Sequence, residues 1–295
     1  MAAARRTDGL VTVTLHHGEL VVVLDPSTGG RLTSLTVRGE ELLATVPDDV
    51  LTEALSGDPA RNRDWYRGSF PLAPWVGTLD TGSFEFAGRK YELPFGRGAV
   101  HGLVAERAWD VVGVPTETSA DLAVRIGPQL PGGWPFDGLV RQSFRLDDSS
   151  LQMRLEVHCL DGTMPAIAGF HPWFRRSLGA GRAARVSFAP GRRLIHRDGR
   201  HVATTDLGPR PWDDLFLDLA GAPSVSWPGG PTLTLVSDAA IWVYYERMPD
   251  GFCIEPWTGP FDGLGTQWAA VVSPRNPLVL ELTMVIAQND PSNPS

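Results

Sequence analysis

The feature that most narrows what this chain can fold into is its load of helix breakers. Its 295 residues include 25 Pro and 32 Gly. Proline lacks the backbone N–H and clashes with the preceding turn, and glycine gives up the most backbone entropy on ordering. No stretch keeps helical periodicity for more than about two turns. A helix bundle and a coiled coil are therefore excluded. The longest apolar runs, such as residues 20–24, fall far short of the ~20 residues that a spanning helix needs. The opening ten residues carry two Arg with no apolar stretch behind them. They do not read as a secretory signal, and the expected location is the cytoplasm. With 26 basic and 34 acidic residues the formal net charge is −8, so a polyanionic nucleic acid is not the expected partner.

What remains is a strand-and-turn cadence. Short alternating or β-branched runs occupy residues 10–15, 20–24, 31–37, 41–44, 83–86, 89–93, 109–112, 122–126, 139–146 and 151–159. Further runs lie at 186–188, 232–236, 241–245, 252–255, 269–272 and 278–286. Gly, Pro, Asp or Asn closes each of them, as in a sandwich or a large twisted double sheet. One short helix is expected at 48–55 and a long polar loop at 56–67. No linker or repeat divides the chain, so residues 1–295 are expected to form a single domain with a frayed tail at 289–295. Cys159 and Cys253 read as reduced core residues, and no metal motif is present. Gly179-Ala-Gly181 resembles a dinucleotide loop but lacks the flanking strand and helix. His196 and His201 read as exposed loop residues.

Four segments carry chemistry. His101 stands directly before Gly102, and His171 stands among aromatics before Pro172. Asp213 and Asp214 follow Trp212, and Glu255 ends an apolar strand before Pro256 and Trp257. Proline restricts the residue before it to an extended backbone, which stiffens both His171 and Glu255. Two imidazoles, two carboxylates and nearby indoles suit general acid–base work on a polyhydroxylated substrate. Trp75, Trp173, Trp212 and Trp257 lie beside these segments, where an indole face can stack on the C–H face of a sugar ring.

In this order the segments resemble the aldose 1-epimerase (galactose mutarotase) family. The resemblance runs from Gly29-Gly-Arg-Leu-Thr-Ser-Leu35 through Pro71-Leu-Ala-Pro-Trp75, His101-Gly and His171-Pro to Glu255-Pro-Trp-Thr-Gly. It implies an all-β fold, a large antiparallel β-supersandwich, and interconversion of the α and β anomers of an aldose. It implies His171 as general acid and Glu255 as general base, with His101 and Asp213 holding substrate hydroxyls. Ionised Glu255 would take the O1 proton while protonated His171 donates to the ring oxygen. No cofactor is implied, and the implied partner is a small sugar or sugar derivative, with no membrane; a monomer or homodimer is expected. Trp173 and Trp257 are expected to line the substrate.

Two positions depart from the family pattern. Thr78 stands where a substrate-binding Arg is expected, and it cannot offer a forked cationic donor. Gly96-Arg-Gly98 replaces a further His, and Arg97 could reach in as a substitute donor. Two other readings therefore stay open: a diverged isomerase or lyase of a sugar conjugate, and a non-catalytic carbohydrate-binding protein.

Overall fold

The computed structural model describes residues 4–7, 10–45, 63–94, 99–179 and 181–288. Alternation is what builds it. Gly138–Leu146 buries every second residue from Gly138 to Leu146, and its neighbour Ser150–Cys159 follows the same rhythm. In a strand successive side chains point to opposite faces, so such a pattern buries one face and wets the other. Phe144, Leu151, Met153, Leu155 and Val157 are thereby fully or almost fully buried.

Two large sheets result, and every ladder among the described strands is antiparallel. The first has twelve strands in the order Ala4–Thr7, Leu10–His17, Leu20–Asp25, Arg31–Val37, Ser69–Leu72, Gly169–Arg175, Gly251–Trp257, Ile241–Tyr245, Asp213–Leu217, Arg192–Arg197 and Arg200–Thr204, with Glu40–Glu41 paired on Arg31–Val37. The second has eight, in the order Asp110–Val111, Ser119–Ile126, Gly138–Leu146, Ser150–Cys159, Leu278–Gln288, Pro231–Ser237, Ser224–Ser226 and Arg185–Ser187. This is the double-sheet architecture that the cadence implied and the antiparallel all-β supersandwich that the family resemblance implied.

The expectations differ from the fold at several places. The helix expected at 48–55, residues 56–62 of the expected loop and the tail 289–295 lie outside the described residues. Arg63–Tyr66 forms a 3-10 turn rather than loop, and Arg67 bridges to Thr45. His196 and His201 are strand residues, not loop residues. They oppose each other across a hairpin, their rings stacked at 4.8 Å, and both pack on Phe261. The glycines at 179 and 181 belong to a two-stranded turn, with strands Ser177–Leu178 and Arg182–Ala183. Cys159 and Cys253 are both free and buried, as expected. No described helix is long and apolar enough to cross a membrane.

Candidate active site

The site is written on three neighbouring strands of the first sheet: Ser69–Leu72, Gly169–Arg175 and Gly251–Trp257. The register sets Phe70 opposite His171, and Gly169 and Trp173 opposite Trp257 and Cys253. Between those last two pairs stand His171 and Glu255, with Pro172 and Pro256 beside them. Neither proline can donate to a ladder, so the two strands are tied above and below the pair but not at it. By alternation His171, Trp173, Cys253, Glu255 and Trp257 share one face. Gly169 is needed there, because a Cβ would stand 2.5 Å from Trp257 Cδ1.

His171 Nε2 lies 3.5 Å from Glu255 Oε1. The other carboxylate oxygen, Oε2, accepts the Trp257 indole N–H at 3.1 Å. The His171 ring is held between two aromatic planes: Phe70 stacks on it at 4.6 Å, and Trp173 at 5.6 Å. Trp173 is itself fixed by donating its indole N–H to the Trp65 carbonyl at 2.6 Å. His101 meets the His171 ring edge-on at 5.1 Å and also faces Trp65 and Trp257.

His101 occupies its place through backbone strain. Its φ is +61° and that of Gly102 is +79°. A Cβ on Gly102 would stand 2.1 Å from the Ala73 carbonyl oxygen, which accounts for the His-Gly dipeptide. The His101 N–H donates to Gly77 O at 2.8 Å, and its Nδ1 accepts the Gly77 N–H at 3.3 Å. An accepting Nδ1 places the proton of the neutral ring on Nε2.

The electrostatics oppose charge on both members of the pair. Burial pushes the His171 imidazole well below its usual range, aided by His101 and Arg31, and pushes the Glu255 carboxyl well above its own. The Trp257 N–H partly offsets the shift of Glu255, and Asp213 adds to it. Burial also holds His101 down to about 4. Burial thus acts against the charged form of each member of the pair, the form that ionised Glu255 with protonated His171 requires. Removing charged groups from water opposes the charged form of each.

The remaining assigned residues fall in different places. Asp213 pairs with Tyr245, which pairs with Cys253, so Asp213 lies on the same face at the open rim. Its Oδ2 is 3.7 Å from Arg247. Asp214 turns to the opposite face, 3.5 Å from Arg193. Thr78 is half-buried and donates its hydroxyl to Asp80, on the strand that pairs with Val100 beside His101. Arg97 lies outside the described residues.

The indoles differ from expectation. Trp173 and Trp257 are 2% and 4% exposed, with Trp173 stacked on His171 and the Trp257 N–H donated to Glu255. Trp75 packs on Trp134 in the core, and Trp212 joins Phe188, Phe216 and Tyr244.

Sequence reasoning passed over three neighbours of the pair. Arg31 and Phe70 stand behind His171, with the Arg31 guanidinium 4.4 Å from the Phe70 centroid. The Gly-Gly-Arg turn was the signal available in the sequence, and the full burial of Arg31 is seen only in the fold. Cys253 is the third. The ligand atoms of His171, Cys253 and Glu255 lie within 4.8 Å of one another, and all three residues are buried. Nitrogen, sulfur and oxygen donors of this kind suit a small borderline divalent ion. Alternation across strands, not linear spacing, brings them together.

The fold and the site together define a galactose mutarotase-like β-supersandwich protein. A galactose mutarotase-like protein from Clostridium acetobutylicum superposes with a TM-score of 0.78 at 15% identity, over 95% of this chain and 96% of that one. A galactose mutarotase related enzyme from Lactobacillus acidophilus gives 0.73 at 17%, over 95% and 98%. A galactose mutarotase-like protein from Lactobacillus casei gives 0.70 at 16%, over 94% and 100%. At these identities the likeness is one of fold. Among curated proteins no sequence matches this chain. The aldose 1-epimerase family profile matches residues 11–181, more than half of the chain, and the protein belongs to that family.

Proposed function

We propose that the protein interconverts the α and β anomers of an aldose by acid–base ring opening and closure, with Glu255 as base and His171 as acid. The observation that carries this reading is the pair itself, two proton-transfer groups 3.5 Å apart and buried on one face of the sheet. The anomeric O1 and the ring oxygen sit on the same carbon. Two groups this close can each reach one of them within the ~2.6–3.2 Å that proton transfer requires.

The proton count is the useful quantity. Ionised Glu255 with protonated His171 carries one proton, and so does protonated Glu255 with neutral His171. The two forms are tautomers. Glu255 takes the O1 proton, His171 gives its proton to the ring oxygen, and the C1–O5 bond breaks to leave an aldehyde and a hydroxyl. Both catalytic groups are then neutral. After rotation about C1–C2 the hydroxyl adds to the other face of the carbonyl, and each proton returns to its donor. Ring opening discharges both groups, which a dry site favours. The same burial disfavours the ion pair before opening. Substrate hydroxyls on Glu255, together with the Trp257 N–H, are what offset that cost. In this reading His101 and Asp213 hold further hydroxyls, the first as an Nε2–H donor and the second as a rim acceptor.

Anomer exchange of free sugars, followed by NMR across a panel of aldoses, tests the reading. His171→Asn and Glu255→Gln should each slow exchange by roughly 10²–10⁴-fold. Wild-type exchange no faster than buffer across the whole panel would refute it. The Thr78–Asp80 contact favours a second reading, a diverged isomerase of a sugar derivative, because the position of the family's Arg presents a hydroxyl and a carboxylate. Activity confined to sugar conjugates in the same panel would select it.

A further inference from the structure

We propose that His171, Cys253 and Glu255 form a three-ligand site for zinc, and that zinc held there excludes the sugar and stops the acid–base pair. The inhibitory half rests on the reading of His171 and Glu255 as the proton-transfer pair; the binding half does not.

The starting point is a thiol that the proposed reaction does not use. Cys253 is fully buried and free. It stands two residues before Glu255 on Gly251–Trp257, so both side chains leave the same face. His171 reaches that face from the adjoining strand, two residues before Trp173, the register partner of Cys253. Pleat and register thus deliver one nitrogen, one sulfur and one oxygen donor to one place, with the three ligand atoms within 4.8 Å of one another.

The spacing fits a tetrahedral ion. Zinc bonds nitrogen and oxygen at ~2.0–2.2 Å and sulfur at ~2.3 Å, which puts neighbouring tetrahedral ligands about 3.3–3.6 Å apart. His171 Nε2 and Glu255 Oε1 already lie 3.5 Å apart. The sulfur, no more than 4.8 Å from either, closes what gap remains through its single side-chain torsion. Two of the ligands are held in advance. Trp257 donates its indole N–H to Oε2, which leaves Oε1 turned toward His171. Phe70 and Trp173 clamp the imidazole between their rings. Contacts around the ligands set their orientation in metal centres generally.

Charge balance supplies the affinity. Zinc takes Cys253 as thiolate, Glu255 as carboxylate and His171 as neutral imidazole, and the displaced protons leave to solvent. Two negative ligands neutralise the dication, so the complex adds no net charge to a dry interior, where an unpaired charge is costly. Three protein ligands leave a fourth position for water. With zinc in place, neither His171 Nε2 nor Glu255 Oε1 can exchange a proton with a sugar. Both occupants need the same two atoms, so one excludes the other.

The test uses the full-length protein after treatment with a chelator. Zinc binding is measured by calorimetry and cobalt binding by absorbance, because a thiolate on cobalt gives a charge-transfer band that nitrogen and oxygen ligands do not. Wild type should bind zinc and show the band. Cys253→Ala should lose the band and bind zinc at least about 100-fold more weakly. In anomer exchange, zinc should raise the KM of wild type with little change in kcat. At the same zinc concentration Cys253→Ala should keep a far larger fraction of its own rate. The stacked imidazoles of His196 and His201 are the competing zinc site, and His201→Gln should leave the band and the inhibition in place. If Cys253→Ala does not fold, Cys253→Ser and Glu255→Gln carry the binding test. No cobalt–thiolate band in wild type, equal zinc affinity in Cys253→Ala, or exchange untouched by saturating zinc overturns the proposal. So does inhibition that His201→Gln abolishes and Cys253→Ala keeps. A band that Cys253→Ala loses, in a protein with no exchange activity, sustains the site and refutes the proposed reaction instead.

Discussion

At the scale of single residues, Glu255 and His171 have the right identities for acid–base chemistry but shifts opposite to those a solvent-exposed pair would show. The proline after each residue marked a backbone held extended, while the acid and base roles rested on the family resemblance alone. Their proton affinities were not readable, since these depend on burial, on His101 and on Arg31, none of which is adjacent in sequence. The same holds for Trp257. Its place beside Glu255 suggested a sugar platform, yet its indole N–H serves the carboxylate. A hydrogen bond to a charged acceptor contributes about 1.5–3 kcal/mol. Trp257→Phe removes the donor and keeps the ring bulk, so Glu255 should hold its proton more tightly. Steady-state kinetics should then show kcat about tenfold or more lower with little change in KM. An unchanged kcat would mean that the contact does not serve the reaction.

At the scale of elements, strands with alternating burial were legible almost to the residue. Residues 31–37, 83–86 and 241–245 were read with the bounds they adopt. The strands that build the site were harder. Ser69–Leu72 and Gly169–Arg175 carry prolines and are buried on both faces, so neither propensity nor period two marks them. Arg192–Arg197 and Arg200–Thr204 are charged strands at the sheet edge, and charge disguised them as loop. The turn at residues 101–102 illustrates the opposite case, in which a His-Gly dipeptide announces a strained backbone. Gly102→Ala forces a Cβ onto the Ala73 carbonyl at a positive φ. Substitutions of this kind destabilise by more than ~1 kcal/mol, and the overlap here argues for a larger loss. Urea unfolding of Gly102→Ala should show a clearly lower midpoint; a midpoint equal to wild type would contradict the geometry.

At the scale of the whole molecule, the composition that excluded helices becomes a set of turns around two antiparallel sheets, and the interior they enclose holds neutral histidines. His101 is held down to about 4 and His171 is also depressed, while His201, half-buried at the edge of the first sheet, is likewise held down to about 4. An unfolded chain titrates its histidines near 6.5, so below that pH it binds protons that the folded state does not. Stability should therefore fall as the pH drops through 6.5, and for His101 the loss should level off near 4. Each such group adds a slope of about 1.4 kcal/mol per pH unit. Between pH 6 and 5, His101→Gln should lose about 1.4 kcal/mol less than wild type in chemical unfolding. Equal slopes for the two proteins would show that His101 is free to charge in the fold.

The central claim is that His171 and Glu255 act as one proton-sharing unit on an anomeric carbon. NMR exchange rates between the anomers of the best aldose, measured for wild type, His171→Asn, Glu255→Gln and the double variant, address it directly. A unit fails when either half is removed, so each single variant should lose roughly 10²–10⁴-fold and the double variant should fall no further than the worse single. Single variants that exchange at the wild-type rate, or losses that multiply in the double variant, would contradict a shared proton.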